Sequence, residues 1–414
     1  MEQDEETMKF LFCCLASPGY VNPAIGIALQ MQKRGHSVAF VTDIAFHEQL
    51  QEMGLQRIPR GAEDGPSFQV DQWFYAPAAA MQMKHVNYAI QQFKPDVLIG
   101  YQLTFGPILM SEVRHIPIAI LGFFSYLWPG TDLNPAQLGP HPAAAHRKIW
   151  RYTEMLKSYN EVRALLNLPA SSADWSETPL LGDLFMLRNV AELEAGIDNL
   201  PDKVHLVGDC LWENYAADPE IETWLEEARA ENSTVVYVHH GRVFNSPSFW
   251  PKMVEAMAGR NVRIAAAIGR MDEKPSDVPS NFLLRPYLPQ GHILRRANAM
   301  IASANTTAVL GALTMGVPSV LIPSGGEEPE VADQCQAAGV AKILPDKASS
   351  AQIAEALQQV LEDDNMLAAA KRAAAAFARM DSMNVVANLL ESLAETKKPV
   401  LRSGELEDAR RAAV

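Results

Sequence analysis

Short apolar runs alternate with amphipathic stretches along the first half of the chain. The run MKFLFCCLA ends at the turn SPGY, and a helical pattern separates it from a second apolar run, HSVAFVT. The segments PDVLIG and IPIAIL repeat this rhythm further on. Buried apolar runs between amphipathic helices are typical of a parallel sheet covered by helices on both faces. The pattern therefore predicts an α/β domain of the doubly wound type.

The first helix has recognisable ends in the sequence. Asn22 is a good N-cap and Pro23 fits the first helical position, so the pattern predicts a helix that starts at this pair. Gly35 follows the last helical residues and is typical of a helix C-terminus.

A second series of α/β units follows a crossover near residues 204–220. It runs through STVVYVHHG, NVRIAAAIG, NFLLRPYLPQ, AMIASANTTAVLGAL and VPSVLIP, before an Ala-rich helical end. We expect two Rossmann-like doubly wound domains that face a cleft. The expected boundaries are residues 1–205 for the first domain, 206–232 for a linker, 233–385 for the second domain and 386–414 for a C-terminal helix and tail.

Composition and charge argue against several classes of protein. The 414 residues include 49 Asp and Glu against 35 Lys and Arg, a formal net charge of -14, which argues against a nucleic-acid-binding surface. The start MEQDEET is not a signal peptide, and no apolar run is long enough to predict a membrane span. The four cysteines show neither metal-ligand nor disulfide spacing. We expect a cytoplasmic protein, and the sequence leaves a homodimer open.

Two groups of motifs resemble one enzyme family. The N-terminal group consists of Gly19, Tyr20, Pro23, Ala28, Leu29, Arg34, Gly35, His36 and Val38. The C-terminal group consists of Tyr287, Pro289, Gln290, Gly316, Val317, Pro318 and Pro323, followed by Glu327 and Glu328 in SGGEEPE. In this order and spacing they resemble the family 1 glycosyltransferases of the UDP-sugar and natural-product type, which have the GT-B fold.

The resemblance implies an inverting, metal-independent transfer of a sugar. The donor would be a UDP- or TDP-sugar bound by the C-terminal domain, and the acceptor a small, hydrophobic, natural-product-like molecule bound by the N-terminal domain. In the family a histidine removes the acceptor proton and an aspartate orients it, whereas this chain has Tyr20 and Tyr101 in these places. A phenol with a pKa of about 10 is a poor base at neutral pH. Either the tyrosines take part in catalysis, or they pack beside the acceptor pocket.

The implied diphosphate site also departs from the family pattern. Ser303 replaces the histidine that contacts the diphosphate, while Asn305, Thr306 and Thr307 stand at a predicted helix N-terminus, which favours an anion. The loop VHHGRVF supplies Gly241 and Arg242, and we expect the Arg242 guanidinium to bind phosphate oxygens.

Four further residues complete the implied donor site. Tyr287 would stack on the nucleobase and Gln290 would contact the ribose or base, although a packed tyrosine and a helix-capping glutamine are the alternatives. Glu327 and Glu328 would accept hydrogen bonds from sugar hydroxyls, or form a solvated first helical turn. A second hypothesis is a repurposed homologue that keeps the fold as a ligand-binding or accessory protein, or as an enzyme of different chemistry, without glycosyl transfer.

Overall fold

The computed structural model describes residues 7–59, 68–70, 76–131, 143–171, 174–194, 196–214, 218–241, 249–268 and 278–402. The strands in these ranges are β1 (Lys9–Cys13), β2 (Ser37–Val41), β3 (Gln56–Arg57), β4 (Val97–Tyr101), β5 (Ile118–Leu121), β6 (Leu184–Leu187), β7 (Val204–Leu206), β8 (Thr234–His239), β9 (Val262–Ala267), β10 (Phe282–Arg285), β11 (Ala299–Ala302), β12 (Ser319–Leu321) and β13 (Ala341–Ile343).

The helices in the same ranges are α1 (Pro18–Lys33), α2 (His47–Glu52), α3 (Ala76–Phe93), α4 (Phe105–Arg114), α5 (Ala143–Leu165), α6 (Pro219–Ala230), α7 (Phe249–Met257), α8 (Gln290–Leu294), α9 (Thr306–Thr314), α10 (Glu328–Ala337), α11 (Ser350–Glu362), α12 (Asp364–Ala378) and α13 (Ser382–Thr396). Short 3-10 turns join several of these elements. None of the helices in the described ranges is long and apolar enough to cross a lipid bilayer.

The chain divides into two compact units. The N-terminal unit comprises the described residues up to Asn189, residues 196–212 and residues 381–402, and the C-terminal unit comprises residues 190–194 and 213–380. Within the described ranges, each unit forms one sheet, and all of its strand pairs are parallel.

The N-terminal unit is built on a seven-stranded sheet in the order β3-β2-β1-β4-β5-β6-β7. Successive residues of β1 serve two separate cores, because side chains alternate between the faces of a strand. Leu11 and Cys13 belong to one apolar cluster, while Phe10 and Phe12 belong to the other. Both faces are thus covered, as the unbroken apolar run predicts.

Helix α1 begins earlier than the sequence predicts. Its N-cap is Ser17, in extended conformation, and Pro18 takes the first-turn position that the sequence analysis gave to Pro23. Pro23 lies inside the helix, so the predicted start at Asn22 and Pro23 is wrong. The first turn therefore carries Tyr20 on the helix itself rather than in the preceding loop.

The C-terminal helix α13 returns to the N-terminal unit and packs along α1. Gln30 donates a hydrogen bond to Asn384 over 2.6 Å, and Arg34 forms an ion pair with Glu391 over 3.2 Å. The close approach requires a small residue, since a Cβ built on Gly26 would lie 2.6 Å from Cε of Met383 on α13.

The C-terminal unit contains a six-stranded sheet in the order β10-β9-β8-β11-β12-β13. The chain winds outward from β8 through β9 to β10, then returns to the other side of β8 and winds through β11, β12 and β13. Apolar residues of β8, β9 and β11, together with α7 and α11, form a buried cluster. The strand order thus reverses between β8 and β11.

Replacement of Gly26 by alanine tests the packing of α13 on α1. Alanine normally stabilises a helix interior by about 0.5–1 kcal/mol over glycine. Here the new methyl group would lie 2.6 Å from Cε of Met383 and 2.7 Å from Cβ of Trp212. We expect a net loss of about 1–3 kcal/mol in unfolding free energy, seen by scanning calorimetry. Met383→Ala in the same chain should recover part of the loss, and a Gly26→Ala protein more stable than wild type would contradict this packing.

Candidate functional site

The candidate site in the C-terminal unit lies where its strand order reverses. Strands β8 and β11 are neighbours, with His239 in register with Ala302, and the chain leaves this edge in opposite directions from them. In open α/β sheets, ligands bind outside the carboxyl ends of the strands at such a reversal. The residues that follow β8, β11 and β12 are therefore the first to consider.

Asn305 contacts residues from three neighbouring segments at this edge. It is the N-cap of α9, and its Oδ1 accepts a hydrogen bond from the backbone N–H of Ala308 over 3.1 Å. Its Nδ2 lies 2.8 Å from Nδ1 of His239 and 3.4 Å from Oγ of Ser303. One amide thus links the start of α9 to the residues that end β8 and follow β11.

The backbone of Gly241 lies close to these side chains. Its φ of +77° lies in the left-handed region that favours glycine. A Cβ at this position would lie 3.1 Å from Oγ of Ser303 and 4.0 Å from Oε1 of Glu328. We refer to His239, Gly241, Ser303, Asn305 and Glu328 as the switch-point cluster.

Glu328 is the acidic member of the switch-point cluster. Its side chain is buried, and its Oε2 accepts hydrogen bonds from the backbone N–H groups of Ser324 over 2.8 Å and Gly325 over 3.3 Å. Burial raises the pKa of this carboxyl to about 7, although its hydrogen bonds to Ser324 and Ser303 lower it in part. Near neutral pH the group therefore exists in both protonation states.

The other predicted donor-site residues of this unit lie in different settings. Tyr287 is 51% exposed in the segment between β10 and α8, Thr306 is buried in the first turn of α9, and Thr307 and Glu327 are half-buried. Arg242 lies outside the described residues.

Gln290 has a role that the sequence analysis did not include. Its buried side chain donates a hydrogen bond from Nε2 to the carbonyl of Thr307 over 3.1 Å, and a Cβ on Gly311 would lie 2.7 Å from the same nitrogen. Its backbone N–H donates to the carboxylate of Glu213 over 3.0 Å. Gln290 therefore ties α8 to α9.

The N-terminal unit has an equivalent reversal, between β1 and β4. Tyr20, in the first turn of α1, and Tyr101, at the end of β4, meet there with ring centroids 4.9 Å apart at 84°. The Tyr101 hydroxyl donates a hydrogen bond to the backbone carbonyl of Tyr20, and Tyr20 also contacts Phe123, with ring centroids 5.9 Å apart. The structure thus brings together the two tyrosines that replace the family's histidine and aspartate.

Tyr101 is only 1% exposed, and burial raises its pKa well above the usual value for a phenol. Its hydroxyl is neutral and already donates to Tyr20 of α1. This geometry suits a group that holds the first turn of α1 in place. Tyr20 is half-buried and lies nearer the surface of this edge.

The contact between His239 and Asn305 is not predicted from the sequence. The sequence does place both residues at or just after apolar runs that the pattern predicts as strands. It does not show that these two strands, β8 and β11, are neighbours. The part of the chain that the structure describes contains no group of three or more His, Cys, Asp or Glu side chains arranged to hold a metal ion.

Comparison with known proteins identifies relatives among glycosyltransferases. Residues 255–393 match the family model for the C-terminal domain of erythromycin biosynthesis protein CIII-like proteins. The chain is 25% identical to 4'-demethylrebeccamycin synthase of Lentzea aerocolonigenes, over 93% of this chain and 99% of that protein. It is 23% identical to the NDP-glycosyltransferase YjiC of Bacillus subtilis, over 85% of this chain and 89% of that protein.

Solved structures share the fold. The glycotransferase of kitacinnamycin superposes with a TM-score of 0.70 at 18% identity, covering 94% of this chain and 99% of that one. The glycosyltransferase VinC in complex with dTDP gives a TM-score of 0.65 at 17% identity, covering 94% and 100%. The GT-B fold that the motifs predict is thereby confirmed. The matched family model and the curated relatives support the resemblance to family 1 glycosyltransferases that the motifs indicate.

Proposed function

We propose that this glycosyltransferase is an inverting, metal-independent enzyme that uses a nucleoside-diphosphate sugar, with UDP or TDP as the nucleotide. The acceptor is a small, hydrophobic, natural-product-like molecule held by the N-terminal unit. The observation that carries the proposal is the switch-point cluster, which combines a helix N-terminus, a close backbone approach at Gly241 and polar side chains at one edge of the sheet.

The switch-point cluster suits a diphosphate. The first N–H groups of a helix and its dipole favour an anion, and α9 begins beside Ser303 and Asn305. The backbone of Gly241 lies close to the same place, since a Cβ there would be 3.1 Å from Oγ of Ser303. Fixed dipoles of this kind stabilise the charge that develops on the diphosphate as the bond to the sugar breaks.

The exposure of Tyr287 and the burial of Gln290 assign these two residues different roles in donor binding. Tyr287, at 51% exposed, presents a ring on which a nucleobase can stack, whereas Gln290 acts on the donor through the position of α9. Glu327 and Glu328 take the sugar hydroxyls, and Arg242 is the cationic partner of the phosphates. Thymidine diphosphate is the ligand in the related structures of VinC and SsfS6, which supports this donor class.

The acceptor side sets a chemical condition on the substrate. Tyr101 is held neutral by burial and donates to a backbone carbonyl, so it does not orient a base as the family's aspartate does. The nucleophile must therefore be reactive without strong base catalysis. A phenolate, a carboxylate or a carbon nucleophile meets this condition, and it attacks the anomeric carbon from the face opposite the departing diphosphate.

Nucleotide binding tests the donor site. We expect one of UDP, TDP, GDP or ADP to stabilise the purified protein, with UDP or TDP the strongest. A ligand at about 100 times its Kd adds about 2.7 kcal/mol to the unfolding free energy, which a thermal-shift assay detects. Arg242→Ala should reduce the shift. Arg260→Ala serves as the control, because Arg260 lies between α7 and the start of β9 and is not part of the switch-point cluster. No shift with any nucleotide at millimolar concentration would refute the proposed function.

Replacement of Tyr20 by phenylalanine tests its role in catalysis. Loss of a general base typically lowers the rate by about 10²–10⁴-fold. Because a phenol is a poor base and Tyr20 packs against Tyr101 and Phe123, we expect kcat/KM to fall by less than about tenfold. Diphosphate release would be followed with phenol and carboxylic-acid acceptors, and with exposed Tyr88→Phe as the control. A loss of 10³-fold or more would show that the Tyr20 hydroxyl is catalytic.

The carboxyl of Glu328 predicts a pH dependence of donor binding. With its pKa raised to about 7, the group is neutral at pH 6 and negatively charged at pH 8.5, where it repels a bound diphosphate. Glu328→Gln stays neutral, and ionisation of the ligand affects both proteins alike. We expect the ratio of wild-type Kd to variant Kd, measured by calorimetry, to rise several-fold, up to about tenfold, between these pH values. A constant ratio would contradict the placement of Glu328 beside the diphosphate.

The same group predicts the pH dependence of stability. A carboxyl whose pKa is raised by folding stabilises the protein below its unfolded pKa, and this contribution is lost as pH rises through about 7. The wild type should therefore lose up to about 3 kcal/mol relative to Glu328→Gln between about pH 5 and pH 8. Denaturant titrations at both pH values measure this difference, and parallel pH profiles for the two proteins would contradict it.

A further inference from the structure

The orientation of the Asn305 side chain is fixed by the helix that it caps. Its oxygen, Oδ1, accepts from the N–H of Ala308 over 3.1 Å, and a flipped amide would place an NH₂ group against that N–H. The nitrogen, Nδ2, is therefore the atom that lies 2.8 Å from Nδ1 of His239, and it donates a hydrogen bond to that ring nitrogen.

This hydrogen bond determines the tautomer of His239. A ring nitrogen that accepts a hydrogen bond carries no proton, so the proton of the neutral imidazole is on Nε2. A proton on Nδ1 would point at the amide hydrogens of Asn305, whose Nδ2 lies only 2.8 Å from Nδ1. His239 thus carries an N–H donor on the side of the ring that faces away from Asn305.

His239 belongs to the same edge as the diphosphate site of the proposed function. Its backbone carbonyl accepts from the N–H of Ser303 over 3.2 Å, and Gly241 follows it by two residues. Ser303 stands where the family resemblance implies a histidine that contacts the diphosphate. His239, at the end of the neighbouring strand, places an imidazole beside that position.

We propose that His239 binds the donor diphosphate through Nε2–H, and that Asn305 is the positioning residue that keeps the proton on Nε2. The family resemblance implies a histidine at the position of Ser303, which follows β11. In this chain the imidazole comes from His239, the last residue of β8. The inference rests on the proposed function, since it names a further contact of the same donor site. It also gives Asn305 two functions, as the cap of α9 and as the group that orients its neighbour.

The first test is the affinity of His239 variants for UDP and TDP, measured by calorimetry on the full chain. A hydrogen bond to a charged group corresponds to about 10–100-fold in affinity, so His239→Ala should weaken Kd by that factor. His239→Gln retains an N–H donor and should weaken it less. His47→Ala, which removes an exposed histidine of the N-terminal unit, is the matched control and should leave Kd unchanged. A His239→Ala protein that binds within twofold of wild type would overturn the inference.

The second test separates positioning from folding. Asn305→Asp keeps the cap of α9 but presents an acceptor to His239, so the proton moves to Nδ1 and Nε2 becomes an acceptor that opposes the phosphate. Nitrogen-15 spectra of histidine-labelled protein report the tautomer directly, and the His239 signals are identified as those missing from His239→Ala. We expect Nε2–H in the wild type and Nδ1–H in Asn305→Asp. An Nδ1–H tautomer in the wild type would refute the argument without any ligand.

The charge introduced by Asn305→Asp is controlled by a double-mutant cycle. The aspartate should weaken Kd more when His239 is present than in the His239→Ala background, since only part of its effect is direct repulsion. Equal losses in both backgrounds would show that Asn305 does not act through His239. A wild-type protein that binds no nucleoside diphosphate would refute the proposed function itself, whereas nucleotide binding that is indifferent to His239 would refute only this inference.

Discussion

The reversal of strand order in each parallel sheet is the constraint on which the candidate sites depend. Where two neighbouring strands send their connections to opposite sides, no crossover covers their carboxyl ends. In the C-terminal unit this occurs between β8 and β11, and it brings the residues after His239 and Ala302 together at one edge of the sheet. In the N-terminal unit it occurs between β1 and β4, beside Tyr20 and Tyr101. The candidate sites thus lie at two short edges of the sheets.

Several groups at the proposed donor edge suit an anion. Asn305 caps α9 and donates to His239, and Glu328, with a pKa of about 7, is partly protonated at neutral pH. These groups offer N–H and O–H donors together with the dipole of a helix of nine residues. Donors of this kind are held before the substrate arrives, so they need little reorganisation when charge develops on the leaving group.

The sequence predicted the fold well, because continuous apolar runs and turn residues report local burial and chain reversal. The parallel sheets and the GT-B fold follow from such runs. The start of α1 was predicted wrongly, because Ser17 with Pro18 and Asn22 with Pro23 carry the same signal and the local pattern does not choose between them. The return of α13 to α1, and the contact of His239 with Asn305, depend on residues 66 or more positions apart. Periodicity contains no information about such pairs.

The central claim is that the switch-point cluster holds the donor diphosphate. A crystal structure of the full chain with the nucleoside diphosphate that stabilises it most would test this claim directly. We expect phosphate oxygens within hydrogen-bond distance of Ser303, of the first turn of α9 and of Nε2 of His239. A diphosphate bound elsewhere, with the side chains of Asn305, His239 and Glu328 in contact only with each other, would contradict it.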